Sequence, residues 1–100
     1  METVQTIDKV NVLIIDDKPK NIIALEAILA NSGYEIFSAD SGARALDIMR
    51  EREFAVILLD VMMPQMDGFQ LATIMKHEPR LQHIPVIFLT AAAHDLSYIY

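Results

Sequence analysis

The chain has 100 residues, enough for one small domain. Its 14 acidic against 8 basic side chains give a formal charge of −6 with no basic block, which argues against direct nucleic-acid binding by this segment. The absence of cysteine removes disulfide frameworks and thiolate metal sites, and no apolar run approaches the roughly 20 residues needed to span a bilayer.

Residues 1–9 are polar and mixed in charge, without the apolar core of a signal peptide. They read as a leader to a domain over residues 10–100. The expectation is a soluble, cytoplasmic protein or a soluble piece of one. From there, short β-branched runs alternate with segments of helical period, the pattern of βαβ units and a parallel sheet.

The first strand is predicted over Val10–Ile15. A helix follows over Pro19–Asn31, with Pro19 suited to its first turn and Ile22, Leu25 and Leu29 on one face. Gly33 stands where a left-handed stop is expected. Tyr34–Ser38 reads as a second strand, and Ala43–Arg50 as a second helix that presents Ala45, Leu46 and Met49 and takes Ser41 as its cap. Ala55–Leu59 is the third strand, apolar throughout and so expected to be buried on both faces. Asp67 can cap a third helix from Gly68 to His77, which Pro79 ends. Pro85 opens the fourth strand, where its missing N–H costs least. A further helical stretch is expected after Ala92.

Three of the apolar runs stop on a residue with an oxygen to offer. Val12-Leu13-Ile14-Ile15 ends on Asp16-Asp17, Val56-Ile57-Leu58-Leu59 on Asp60, and Val86-Ile87-Phe88-Leu89 on Thr90. Parallel strands bring their carboxyl ends to one edge of the sheet, where open α/β proteins bind ligands. Three uncompensated carboxylates there either raise one another's pKa or are held by a cation. An oxygen-only set suits Mg2+ better than zinc or copper.

Asp16-Asp17, the stretch Asp60-Val61-Met62-Met63-Pro64-Gln65-Met66-Asp67-Gly68, and Leu89-Thr90-Ala91 together resemble the receiver domain of two-component response regulators, from about Val10 to the end of the chain. The resemblance implies a three-layer, flavodoxin-like, doubly wound α/β fold with strand order 2-1-3-4. It also implies phosphoryl transfer from a histidine kinase or phosphotransfer domain to Asp60, assisted by Mg2+. Asp60 would be both acceptor and metal ligand, with Asp17 a direct ligand, Asp16 direct or through water, and the Met62 backbone carbonyl filling another position. Thr90 would donate its hydroxyl to a phosphoryl oxygen, and the small Ala91 would leave room for the group. Met62 and Ala92 stand where polar residues in related domains position the hydrolytic water, so slow self-dephosphorylation is expected. The resemblance thus implies a phospho-acceptor switch, and not an enzyme that turns over a substrate.

The family also has a fifth strand carrying a lysine that pairs with the phosphoryl group, and a fifth helix. The last lysine here is Lys76, inside the third helix. The reading is therefore of a domain incomplete at its C-terminus, part of a longer regulator with an unknown output domain, or one that associates through the uncovered sheet edge. Two other functions stay open: a pseudo-receiver acting as a non-phosphorylated interaction module, which the missing lysine favours and the intact acidic trio opposes, and a Mg2+-dependent phosphatase or phosphotransferase acting on small molecules with an aspartyl nucleophile, which needs a general acid and a cap not seen in so short a chain. Asp17 alone also suits a helix start, Asp60 alone a turn and Thr90 alone a strand; their coincidence carries the reading. Met62, Met63 and Met66 read as packing residues. His77, His83 and His94 lack metal-ligand spacing and read as surface residues, and Lys18 stands where it can damp the charge of the acidic pair, although most lysines so placed are simply solvated.

Overall fold

β-Branched and leucine runs without intervening glycine or proline favour extended chain, and each becomes a strand: β1 (Asn11–Ile15), β2 (Glu35–Ala39), β3 (Val56–Asp60) and β4 (Val86–Leu89). The computed structural model describes residues 10–89. Thr90, Ala91, Ala92, His94 and the expected further helix lie outside those residues. All pairings are parallel, in the order β2-β1-β3-β4.

Between the strands run α1 (Pro19–Leu29), α2 (Gly42–Glu51) and α3 (Gly68–Lys76). Right-handed crossovers decide their sides. The step from β1 to β2 runs one way across the sheet, while β2 to β3 and β3 to β4 run the other. Hence α1 covers one face and α2 and α3 the other, giving three layers. The face under α2 and α3 carries the main core: Leu13, Ile15, Ile57 and Leu59 of the sheet pack with Ala45, Leu46, Met49, Leu71 and Met75. Under α1 lie Val12 and Ile14, both buried, but α1 itself buries no residue fully. Ile22, Leu25 and Leu29 are half-buried, as their shared face predicts.

Helix ends follow the sequence signals with small shifts. The side chain of Ser41 accepts from the Arg44 N–H at 3.2 Å, so α2 starts at Gly42, one residue before the expected start. In α1 the last helical residue is Leu29 rather than Asn31; Gly33 takes φ 86°, the left-handed conformation expected of it. Asp67 caps α3 through a reciprocal pair with Gln70, each bond 2.9 Å.

One expectation fails. Ile57 and Leu59 are fully buried, but Val56 and Leu58 on the opposite face are only half-buried. Continuous apolarity in β3 reports two apolar faces, and among the described residues only one of them has helices dense enough to seal it.

Candidate functional site

The sheet register makes the site. Ile15 pairs with Ala39 on one side and Leu59 on the other, so the next residues, Asp16 and Asp60, emerge side by side at the carboxyl edge. Asp17 follows directly. Carboxylate oxygens of Asp16, Asp17 and Asp60 all lie within 4.8 Å of one another. Asp16 and Asp60 are buried, and Asp17 is half-buried.

The three carboxylates differ in how they are held. Asp16 accepts twice, from the Lys18 backbone N–H at 2.9 Å through Oδ1 and from the Asn21 side-chain amide at 3.0 Å through Oδ2. Asp17 pairs with the Lys18 ammonium at 3.4 Å, a solvent-facing contact that raises the lysine pKa chiefly through that hydrogen bond. Asp60 Oδ1 accepts from the Met62 N–H at 3.1 Å, while its Oδ2 is buried without a partner among the described residues. Burial pushes the Asp60 carboxyl above its ordinary value of 3.8; the Met62 N–H opposes the shift, Asp16 adds to it, Lys18 opposes it and Asp17 adds to it.

A buried carboxylate oxygen with no donor is costly unless a proton or a cation takes it up. Here two further carboxylates, all-oxygen chemistry and a shared span of a few ångströms make a divalent cation a fitting occupant.

Of the residues that the sequence singles out, Asp16, Asp17 and Asp60 are brought together, whereas Thr90 lies outside the described residues. Met62 meets Asp60 through its backbone N–H. Its side chain is 61% exposed, so it is not the packing residue expected, although Met63 is buried and Met66 packs against the core. His77 and His83 are exposed, as expected.

Asn21 was missed, and Gly68 was legible as the start of α3 but not as a neighbour of Asp60. Asn21 follows Asp16 by five positions with Pro19 setting the helix start between them, a spacing that could have signalled the contact. Gly68 closes the loop after β3: its N–H donates to the Val61 carbonyl at 3.1 Å, and a Cβ there would lie 2.6 Å from the Asp60 carbonyl oxygen. Within that loop Gln65 adopts φ 68°, and the Met66 side chain lies over Gly42 at the start of α2. An apolar groove of about 350 Å³ between α3 and β4, lined by Phe69, Leu81, Val86 and Phe88 among others, contains no carboxylate and is a separate feature.

Among the described residues no helix is long and apolar enough to cross a membrane. The model of the response regulator receiver domain matches residues 12–99. A probable cyclic di-GMP phosphodiesterase of Vibrio cholerae is 38% identical over 92 residues, 92% of this chain and 21% of that protein. Response regulator PleD of Caulobacter vibrioides is 42% identical over 80 residues, 80% of this chain and 18% of that protein. The chain thus spans about a fifth of the length of these two curated relatives. Among solved structures, the N-terminal domain of a response regulator receiver protein from Methanoculleus marisnigri superposes with a TM-score of 0.78 at 33% identity, over 81% of this chain and 66% of that one.

Proposed function

The chain belongs to the response regulator receiver domain family, and from that premise we propose that Asp60 accepts a phosphoryl group from a histidine kinase or phosphotransfer domain, with Mg2+ held beside it. The observation that carries this reading is the Asp60 carboxylate itself, buried with one oxygen tied to the Met62 N–H and the other without a donor among the described residues.

Phosphoryl transfer asks a protein for positioning and charge neutralisation more than for covalent assistance. Bound Mg2+ would supply the neutralising charge, shared between the acidic residues and the phosphoryl oxygens. Asp17 and Asp60 would hold it directly, Asp16 directly or through water, and the Met62 backbone carbonyl would complete the protein's share. A carboxylate oxygen of Asp60 forms the new bond to phosphorus as the donor's phosphorus–nitrogen bond breaks. The electron pair of that bond returns to the imidazole of the donor histidine. Thr90 donates its hydroxyl to a phosphoryl oxygen.

The segment acts as a regulatory switch within a longer cytoplasmic protein, and its output is carried by a part outside this chain. Intact-mass spectrometry after incubation with Mg2+ and acetyl phosphate tests the reading. The expected result is gain of one phosphoryl group that disappears in Asp60→Asn and on chelation of the metal. A wild-type chain that gains nothing, or an Asp60→Asn chain that gains the same mass, would overturn it.

A further inference from the structure

We infer that Asn21 is a positioning residue for the metal site, fixing the Asp16 carboxylate in one orientation before any cation arrives. The inference rests on the Mg2+-dependent reading above and adds a residue outside the acidic trio to its machinery.

The geometry has three parts. Asp16 is buried at 4% exposure, and both of its oxygens are taken by donors from the chain that follows it. The Lys18 backbone N–H closes the turn out of β1 at 2.9 Å. Asn21 then returns from the first turn of α1 to hold the other oxygen at 3.0 Å. An ionised carboxylate only accepts, so the amide nitrogen of Asn21 must be the atom facing it.

Nothing in the helix itself requires this side-chain bond. Asn21 already spends its backbone N–H on the Lys18 carbonyl at 3.0 Å, and α1 begins on Pro19 without a side-chain cap. Lacking that bond, the Asp16 carboxylate could turn about its Cβ–Cγ bond, and its lone pairs would no longer be aimed along with those of Asp17 and Asp60. Asp17 is held differently: among the described residues its partner is the exposed ammonium of Lys18. The site therefore combines one carboxylate locked by α1, one tied by a backbone N–H of the β3–α3 loop, and one paired with an exposed lysine. Groups that orient a ligand without touching the metal commonly govern affinity as strongly as a weak ligand does.

The test is Mg2+ titration of the full chain by calorimetry, alongside thermal unfolding, for wild type, Asn21→Leu and Asn21→Gln. Loss of the donor in Asn21→Leu is expected to weaken Mg2+ binding about tenfold. Phosphoryl uptake by that variant should recover at saturating Mg2+, because the defect lies in binding and not in the acceptor. Asn21→Gln keeps a donor and should regain most of the affinity. In the wild type, the Asn21 side-chain amide resonance should shift during the titration with the same midpoint as the calorimetric curve, a readout that needs no variant to fold. Wild-type affinity in a folded Asn21→Leu chain, or an amide resonance unmoved by Mg2+, would overturn the inference and leave the proposed function standing. A wild-type chain that binds no Mg2+ at all would overturn both.

Discussion

Gly68 lies against the peptide of Asp60 so closely that a Cβ at position 68 would stand 2.6 Å from the Asp60 carbonyl oxygen and 2.9 Å from the Val61 Cα. Both obstacles are backbone, so neither can swing aside as a side-chain tip could. The first residue of α3 and the candidate acceptor are thereby packed as one unit.

Gly68→Ala should therefore destabilise the domain by about 1–3 kcal/mol, the usual cost of overpacking a tight site. The loop after β3 must shift to admit the methyl group, and the Met62 N–H that holds Asp60 shifts with it. Urea unfolding combined with Mg2+ titration checks this, with both stability and affinity expected to fall. An unchanged midpoint and unchanged affinity would show that the contact relaxes freely.

The ionisation of Asp60 works against folding. Because burial raises its folded pKa above 3.8, the native state holds more protons than the unfolded state between that value and the raised one. Stability thus falls as pH climbs through that window and stays lower above it. In Mg2+-free buffer Asp60→Asn should melt above the wild type at pH 7, and the gap should close as pH drops below 3.8. Each 1 kcal/mol corresponds to roughly 4–8 °C in a domain of this size, so scanning calorimetry resolves it. An equal or lower Tm for Asp60→Asn at pH 7 would contradict the burial argument.

Asp67 and Gln70 each satisfy a backbone N–H of the other at the start of α3. Asp67→Ala removes the acceptor and should cost about 1 kcal/mol, whereas Asp67→Asn keeps it and should cost a few tenths at most. Parallel thermal melts of the two variants distinguish loss of the cap from loss of the charge.

Met62 stands two residues past Asp60, with its side chain 61% exposed and no polar atom able to orient a water. The acyl phosphate on Asp60 is expected to hydrolyse slowly, and Met62→Asn, which adds a donor and an acceptor, to shorten its lifetime. Following loss of the phosphoryl mass with time provides the measurement. Decay of the wild-type adduct within seconds would rule against this account.

All seven elements over residues 10–89 were legible as patterns, because each rests on local chemistry: β-branched runs, helical spacing, Ser41 and Asp67 as caps, Gly33 as a left-handed stop. The acidic trio was legible for a related reason. Parallel strands share an edge, so the residues that follow the apolar runs at Ile15 and Leu59 lie at the same end of the sheet, and the strand order implied by the receiver resemblance, with β1 beside β3, makes them neighbours. The errors fall where exposure depends on a partner. Val56 and Leu58 looked as buried as Ile57 and Leu59, and Met62 looked as buried as Met63, since apolarity does not say which face another element covers.

By itself, then, the sequence determined the alternation of parallel strands and helices, a consequence of periodicity, and set Asp16, Asp17 and Asp60 at one edge of the sheet, a consequence of chain direction; the strand order that gathers them followed from the resemblance to receiver domains. Tertiary structure alone decided how Asp16 and Asp60 are wired: Asn21 on Asp16, the Met62 N–H on one oxygen of Asp60 and, among the described residues, no donor on the other. It also decided the contacts of Gly68 with Asp60 and of Met66 with Gly42. Such links form between segments whose relative placement is fixed by packing to within a fraction of an ångström, and hydrogen bonds and steric contacts turn on distances of that size, which no residue-level pattern encodes.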